Sequence, residues 1–238
     1  MSLTLATFNV TQLRRYNALR DIASLFRKIP DIILVQDSVP PERLAPDLFS
    51  GYRLNSSGHY QKKNKPDFSK RYAKLSLAML HLPGSHHDSA LILAPNTYQT
   101  IFTKKLALLE AAVAKHPAII AGDFNSVFLP DDIEKNLKYF ATAVKKAPLD
   151  DFEKAQILSW NLLPFEFLQS YGYRMALGHP AAIATSNRSK TTVDFIFYNP
   201  AVVELKECVV LDVVDLQVMA RNCHNPVIAS FKLKNIKK

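Results

Sequence analysis

Five times along this chain of 238 residues an apolar run meets a carboxylate, amide or imidazole at its end: at Asn9, at Gln36-Asp37, at Asp123 with Asn125, at Asp194 and at His224. A short, continuous apolar run is the pattern of a strand buried on both faces. A polar residue where one such strand stops is more often a turn former than a ligand. Repeated along one chain, the pattern points to strand ends that share a site.

The remaining elements are read around those strands. Apolar spacing predicts a strand over 3–10, a helix over 16–28 with Leu19, Ile22, Ala23 and Phe26 at helical spacing, and a stop at Pro30 before a buried strand over 32–35. From 40 to 74, prolines and glycines predict loops and edge strands. Paired strands are expected over 75–82 and 90–94, across the turn residues Pro83-Gly84-Ser85. An amphipathic helix follows over 102–115, with Leu106, Leu109 and Val113 on its apolar face. A strand over 118–121 runs into Gly122-Asp123-Phe124-Asn125-Ser126, helices are expected over 133–146 and 149–158, and strands over 193–198, 209–214 and 227–233. Strands and helices alternate in the first half while hairpin-like pairs recur. An α/β fold built on a two-layer β-sandwich flanked by helices accounts for this better than a doubly wound sheet.

Composition narrows the class. Apolar residues make up 48% of the chain and charged residues 21%, which excludes disorder and supplies a sizeable core. No repeat or linker divides the chain, so one domain over 1–238 is expected. A formal charge of +9 favours polyanionic partners through counterion release, nucleic acid first and acidic membrane second, although a solubility role explains it too. Cys208 and Cys223 are too few for a disulfide scaffold or a cysteine-rich zinc site, and no segment reads as a signal peptide or membrane span. An intracellular, cytoplasmic protein without a membrane partner is expected.

Hydrolysis of a phosphodiester requires a hard cation on carboxylate oxygen, an oriented water, and donors for the phosphoryl oxygens. The strand-end set can supply all three. Its order and local sequence resemble the endonuclease/exonuclease/phosphatase superfamily, in the stretches Thr7-Phe8-Asn9-Val10, Val35-Gln36-Asp37, Gly122-Asp123-Phe124-Asn125, Val193-Asp194-Phe195-Ile196-Phe197-Tyr198 and Asn222-Cys223-His224-Asn225-Pro226-Val227. Leu168-Gln169-Ser170-Tyr171, and Asn96-Thr97-Tyr98 followed by Lys105-Leu106-Ala107-Leu108-Leu109, are similar to the Angel and nocturnin branch of deadenylase-like enzymes. The resemblance implies a four-layer α/β/β/α fold and Mg²⁺ or Mn²⁺ held by Asp37 with Asn9. It implies a water oriented by Asp123, a phosphate donor in Asn125, a supporting Asp194, a transition-state contact from His224, and a phosphate contact from Tyr98. It also implies single-stranded RNA, attacked at a 3′ end, or a small phosphorylated metabolite as substrate.

Three positions depart from the family pattern. Asp37 stands for a Glu and is shorter by about one bond length. Tyr98 stands for a His, and a phenol still donates a hydrogen bond. Cys223 stands for an Asp that is expected to orient His224, a role a thiol performs poorly. They support a rival reading, a catalytically inactive member retained as a nucleic-acid-binding or protein-binding module. The segment 59–74 interleaves Lys62, Lys63, Lys65, Lys70, Arg71 and Lys74 with Tyr60, Phe68 and Tyr72, a composition that suits a phosphate backbone with stacked bases and equally a solvated loop. His81, His86, His87 and His116 read as surface or loop residues.

Overall fold

The elements follow one another as β1 (Ser2–Asn9), β2 (Ile32–Gln36), β3 (Tyr52–Leu54), β4 (Tyr60–Lys62), β5 (Leu77–His81), α1 (Pro95–Val113), β6 (Ile119–Asp123), α2 (Pro130–Ala143), α3 (Asp151–Ser170), β7 (Arg174–Met175), β8 (Asp194–Tyr198), β9 (Val203–Val210) and β10 (Val227–Leu233). They belong to a computed structural model that describes residues 2–9, 29–36, 52–54, 60–63, 77–82, 95–143, 148–178, 183–186, 189–212 and 224–234. The strands form a six-stranded sheet, β3-β4-β2-β1-β10-β9, and a four-stranded sheet, β5-β6-β8-β7. Both are mixed: β1 runs parallel to β2 and antiparallel to β10, and β6 runs parallel to β5 and antiparallel to β8.

Side chains alternate across a strand, so each strand contributes one row to each face. Leu3, Leu5, Ile32, Leu34, Ala229 and Phe231 of the large sheet form one buried cluster with Ile119, Ala121 and Ile196 of the small sheet. This is the sandwich filling. Two residues further along the same rows come Thr7 and Asn9 on β1, Gln36 on β2 and Asp123 on β6, with Asp194 two residues before Ile196 on β8. The space between the sheets thus passes from apolar to polar toward one end, and that end carries the strand-end residues.

The opposite face of the small sheet is aromatic. Ile120, Phe124, Phe195 and Phe197 pack on Leu109, Ala112 and Val113 of α1 and on Phe165 and Leu168 of α3. Phe165 meets Phe195 edge-on at 4.9 Å, and Phe124 meets Phe195 edge-on at 5.9 Å, the T-shaped arrangement that the ring quadrupole favours. Two sheets with helices on the outer face of the smaller one give the α/β-sandwich. The helix expected over 16–28 and the strand expected over 90–94 lie outside the described residues.

Several boundaries differ from expectation. Helix α1 begins at Pro95, a residue suited to a first helical turn because its missing N–H has no helical partner there. Its buried stripe is Lys105, Leu109, Ala112 and Val113, with Leu106 only half-buried. Helix α3 is twice the length expected over 149–158 and continues through Pro164. A capping box starts it: Glu153 N donates to Asp150 Oδ1 and Asp150 N donates to Glu153 Oε2, each at 2.9 Å. The strand expected over 209–214 instead spans Val203–Val210, because pairing with β10 sets its register and leaves its outer row in water. His81, expected on the surface or in a loop, ends β5 with its backbone in register with Asp123. His116 is exposed, as expected.

Phe165 joins four other phenylalanine rings, Phe124, Phe128, Phe195 and Phe197. Phe165→Ala is expected to cost about 3–5 kcal/mol, measured by urea denaturation, as for other buried aromatic truncations.

Candidate active site

The fold brings together Asn9, Asp123, Asn125, Asp194 and His224 from four separate stretches of chain. Asp123 and Asp194 are direct partners in the antiparallel β6–β8 register, and both are buried. Like charges placed opposite one another repel, and in a water-poor setting the cost rises. Donors surround the pair. Asn9 Nδ2 donates to Asp123 Oδ2 at 2.6 Å, and Asn125 N donates to Asp123 Oδ1 at 2.8 Å. His224 Nδ1 lies 2.8 Å from Asp194 Oδ2 and 3.9 Å from Asp123 Oδ2, so one imidazole faces both carboxylates.

Burial by itself lowers the pKa of His224, but the charge and hydrogen bond of Asp194, with the charge of Asp123, outweigh it and push the value up to about 9. At neutral pH the ring is an imidazolium whose Nδ1–H donates to Asp194, which leaves Nε2–H as its second donor. Main-chain bonds fix the ring's position. His224 N donates to Asn9 O at 3.3 Å, His224 bridges to Ser186, and Asn225 N donates to Thr185 O at 2.6 Å. Thr185 Oγ1 accepts from Val193 N at 2.9 Å and Asp194 N at 3.1 Å, so a single hydroxyl ties the His224 segment to the start of β8. The expectation that a thiol at 223 leaves His224 poorly oriented is therefore corrected, since Asp194 orients the ring. Cys223 itself lies outside the described residues.

Asn125 occupies the left-handed region at φ 44°, a conformation that Asn tolerates better than most side chains. Its Nδ2 donates one hydrogen to Leu82 O at 2.8 Å, and an amide nitrogen carries a second hydrogen. Among the described residues, Asn125 Oδ1 and Asp194 Oδ1 are buried without a hydrogen-bond partner. Such oxygens are costly unless something else meets them.

A metal can be accommodated. Asp123, Asp194 and His224 offer ligand atoms within 4.8 Å of one another. With His224 protonated and paired, the hard oxygens are the better ligands, and the unpartnered Asp194 Oδ1 is an acceptor that a hard cation could meet. Asn9 has its nitrogen on Asp123, so Oδ1 is the ligand atom its amide can offer. Asp37 lies outside the described residues. Tyr98 falls in the first turns of α1 rather than at a strand end, and only its backbone is described. Of the basic-aromatic segment, Tyr60 is fully buried between strands and cannot stack on a base, while Lys63 is exposed. The residues after Lys63 in that segment lie outside the described set.

One buried polar side chain beside the site was given no role in the sequence reading. Lys105 is wholly buried, with Nζ bonded to Ser126 Oγ, 3.4 Å from Asn125 O and from Trp160 O, and 3.9 Å above the Trp160 ring. Burial pushes its pKa well below the ordinary lysine value, against the opposing pull of Asp123. The sequence signals were its position one helical turn before Leu109, on the buried stripe of α1, and its place at the head of the family-like stretch Lys105-Leu106-Ala107-Leu108-Leu109.

Residues 6–216 match the family model described as the Endonuclease/Exonuclease/phosphatase family. No curated protein matches the chain in sequence. Among solved structures it is similar to an AP endonuclease from Archaeoglobus fulgidus, at 17% identity and TM-score 0.62, over 95% of this chain and 98% of that one. It is also similar to humanized D. rerio TDP2, at 14% identity and TM-score 0.51, over 97% and 99%. The human Nocturnin catalytic domain with bound sulfate matches at 13% identity and TM-score 0.50, over 98% and 94%. At these identities the likeness is one of fold. Among the described residues, no helix is long and apolar enough to cross a membrane.

The pKa of His224 makes stability depend on pH in the metal-free protein. The imidazole titrates near 6.5 when unfolded and at about 9 in the fold, so between those values the folded state holds a proton that the unfolded state has released. The contribution is complete below about 6.5 and is lost as pH rises through about 9. Thermal melts should show a decline over that window that is blunted in His224→Gln.

Proposed function

The chain belongs to the Endonuclease/Exonuclease/phosphatase family, and from that premise we propose that it is a divalent-metal-dependent phosphodiesterase acting on nucleic acid, single-stranded RNA foremost. The observation that carries the reading is the buried Asp123–Asp194–His224 cluster at the polar end of the inter-sheet space. Asp37 and Asn9, with the open oxygen of Asp194, would hold Mg²⁺ or Mn²⁺, which when bound neutralises charge on the phosphoryl oxygens.

The chain's own residues have distinct tasks in this reading. Asp123 is fixed at both oxygens by neutral donors and acts as the group that orients the attacking water and receives its proton. His224, charged and locked at Nδ1 by Asp194, directs Nε2–H at the phosphoryl oxygens as negative charge builds on them. Asn125 adds its second amide hydrogen, and Tyr98 is assigned a further phosphate contact. The formal charge of +9 supports a polyanionic substrate. An inactive binding module would follow from a badly held His224, and the 2.8 Å bond to Asp194 weighs against that premise.

Cleavage of end-labelled single-stranded RNA should require Mg²⁺ or Mn²⁺, stop in chelator, and fall at least about 100-fold in Asp123→Ala, the loss typical of a missing acid–base group. Activity that survives both treatments would refute the assignment. Binding of the same RNA to Asp123→Ala should weaken at least about tenfold between about 50 mM and about 200 mM salt, read by fluorescence anisotropy.

A further inference from the structure

Lys105 has no task in the chemistry above, yet its surroundings are built for a cation. Its ammonium reaches Ser126 Oγ, the carbonyls of Asn125 and Trp160, and the face of the Trp160 indole. The Trp160 carbonyl is available for a structural reason. In an uninterrupted helix it would accept from the N–H four residues on, but that residue is Pro164, which has none. Lys105 Nζ and Ser126 Oγ occupy the vacated acceptor instead, at 3.4 Å and 3.5 Å. Trp160 Nε1 in turn donates to Asn125 O at 3.3 Å. All of these bonds converge on the turn that carries Asp123 and Asn125.

That turn needs holding. Asn125 has a left-handed backbone at φ 44°, and such a conformation persists where its surroundings over-determine it. A lysine on the buried stripe of a helix would be better replaced by Leu or Met if it only filled space, because an ion loses its hydration on burial. We propose that Lys105 is a positioning residue for the cleavage reaction: its ammonium, held between the Trp160 indole and the carbonyls of Asn125 and Trp160, clamps the 123–126 turn so that Asp123 and Asn125 face the reacting phosphate. The proposal rests on the phosphodiesterase reading for its chemistry. The clamp itself is a matter of geometry and can be tested without turnover.

The test is Lys105→Met in the full chain, which keeps the hydrocarbon length and removes the charge. The variant removes the side chain that interacts with Asp123 and takes a donor from the Asn125 and Trp160 carbonyls, so it should melt below the wild-type temperature. The side-chain amide resonances of Asn125, followed by NMR, should shift. On single-stranded RNA, kcat should fall about 10–100-fold while KM changes less than about threefold, the split expected when reacting groups are misplaced but substrate binding persists. A lysine that merely packs also predicts a lower melting temperature but leaves the Asn125 resonances and kcat unchanged, and that result overturns the proposal. If Lys105→Met does not fold, Ser126→Ala removes the nearest acceptor and should shift the same resonances; unmoved Asn125 signals there overturn it too. Should wild-type protein prove inert on RNA, the cleavage reading fails, while the Asn125 resonances still decide the role of Lys105.

Discussion

Two carboxylates, Asp123 and Asp194, stand opposite one another on paired strands with almost no access to water. Buried like charges of this kind are tolerated only when cations and hydrogen-bond donors compensate them. Here an imidazolium lies against both, the buried Lys105 side chain lies within electrostatic reach of the first, and the amide of Asn9 reaches across from the other sheet. The cross-sheet bond from Asn9 to Asp123 also couples the two layers at their polar end, where no apolar contact could.

The aromatic layer and the site are parts of one construction. Phe124 sits between Asp123 and Asn125 in sequence and is buried in the ring cluster on the helical face of the small sheet. Anchoring that ring leaves its two polar neighbours little freedom. On the other flank Asn161 of α3 accepts from Val127 N at 3.1 Å and donates to Asn136 of α2 at 2.8 Å, and Asp132 of α2 accepts from Thr192 N at 2.9 Å. Helices that contribute no reacting group thus fix the loops on both sides of the carboxylate pair, a division of labour suited to chemistry that depends on positioning.

Much of this was legible in the chain. The strand expected over 227–233 is β10 to the residue, and Asn9, Asp123, Asn125, Asp194 and His224 converge as strand-end residues should. What escaped notice depends on contacts between distant segments. Helix α3 passes Pro164 because the orphaned Trp160 carbonyl finds Lys105 and Ser126, partners that lie 55 and 34 residues away in sequence and have no local signature. The sequence reading gave Lys105 no partner, and its acceptors appear only in the fold. The orientation of His224 was assigned to its sequence neighbour, whereas the partner is 30 residues earlier across the sandwich. Tyr60 looked like a stacking platform because composition carries no register, and pairing of β4 with β2 turns it inward.

The central claim is that the polar end of the inter-sheet space is a cation-assisted phosphodiester site. Diffraction from crystals soaked in millimolar Mn²⁺ and collected at an energy sensitive to manganese tests it most directly. The account predicts anomalous density at the polar end, against the oxygens of Asn9 and the carboxylates that share the site, and none in Asn9→Ala combined with Asp194→Ala. A wild-type site without anomalous density at that concentration would contradict it.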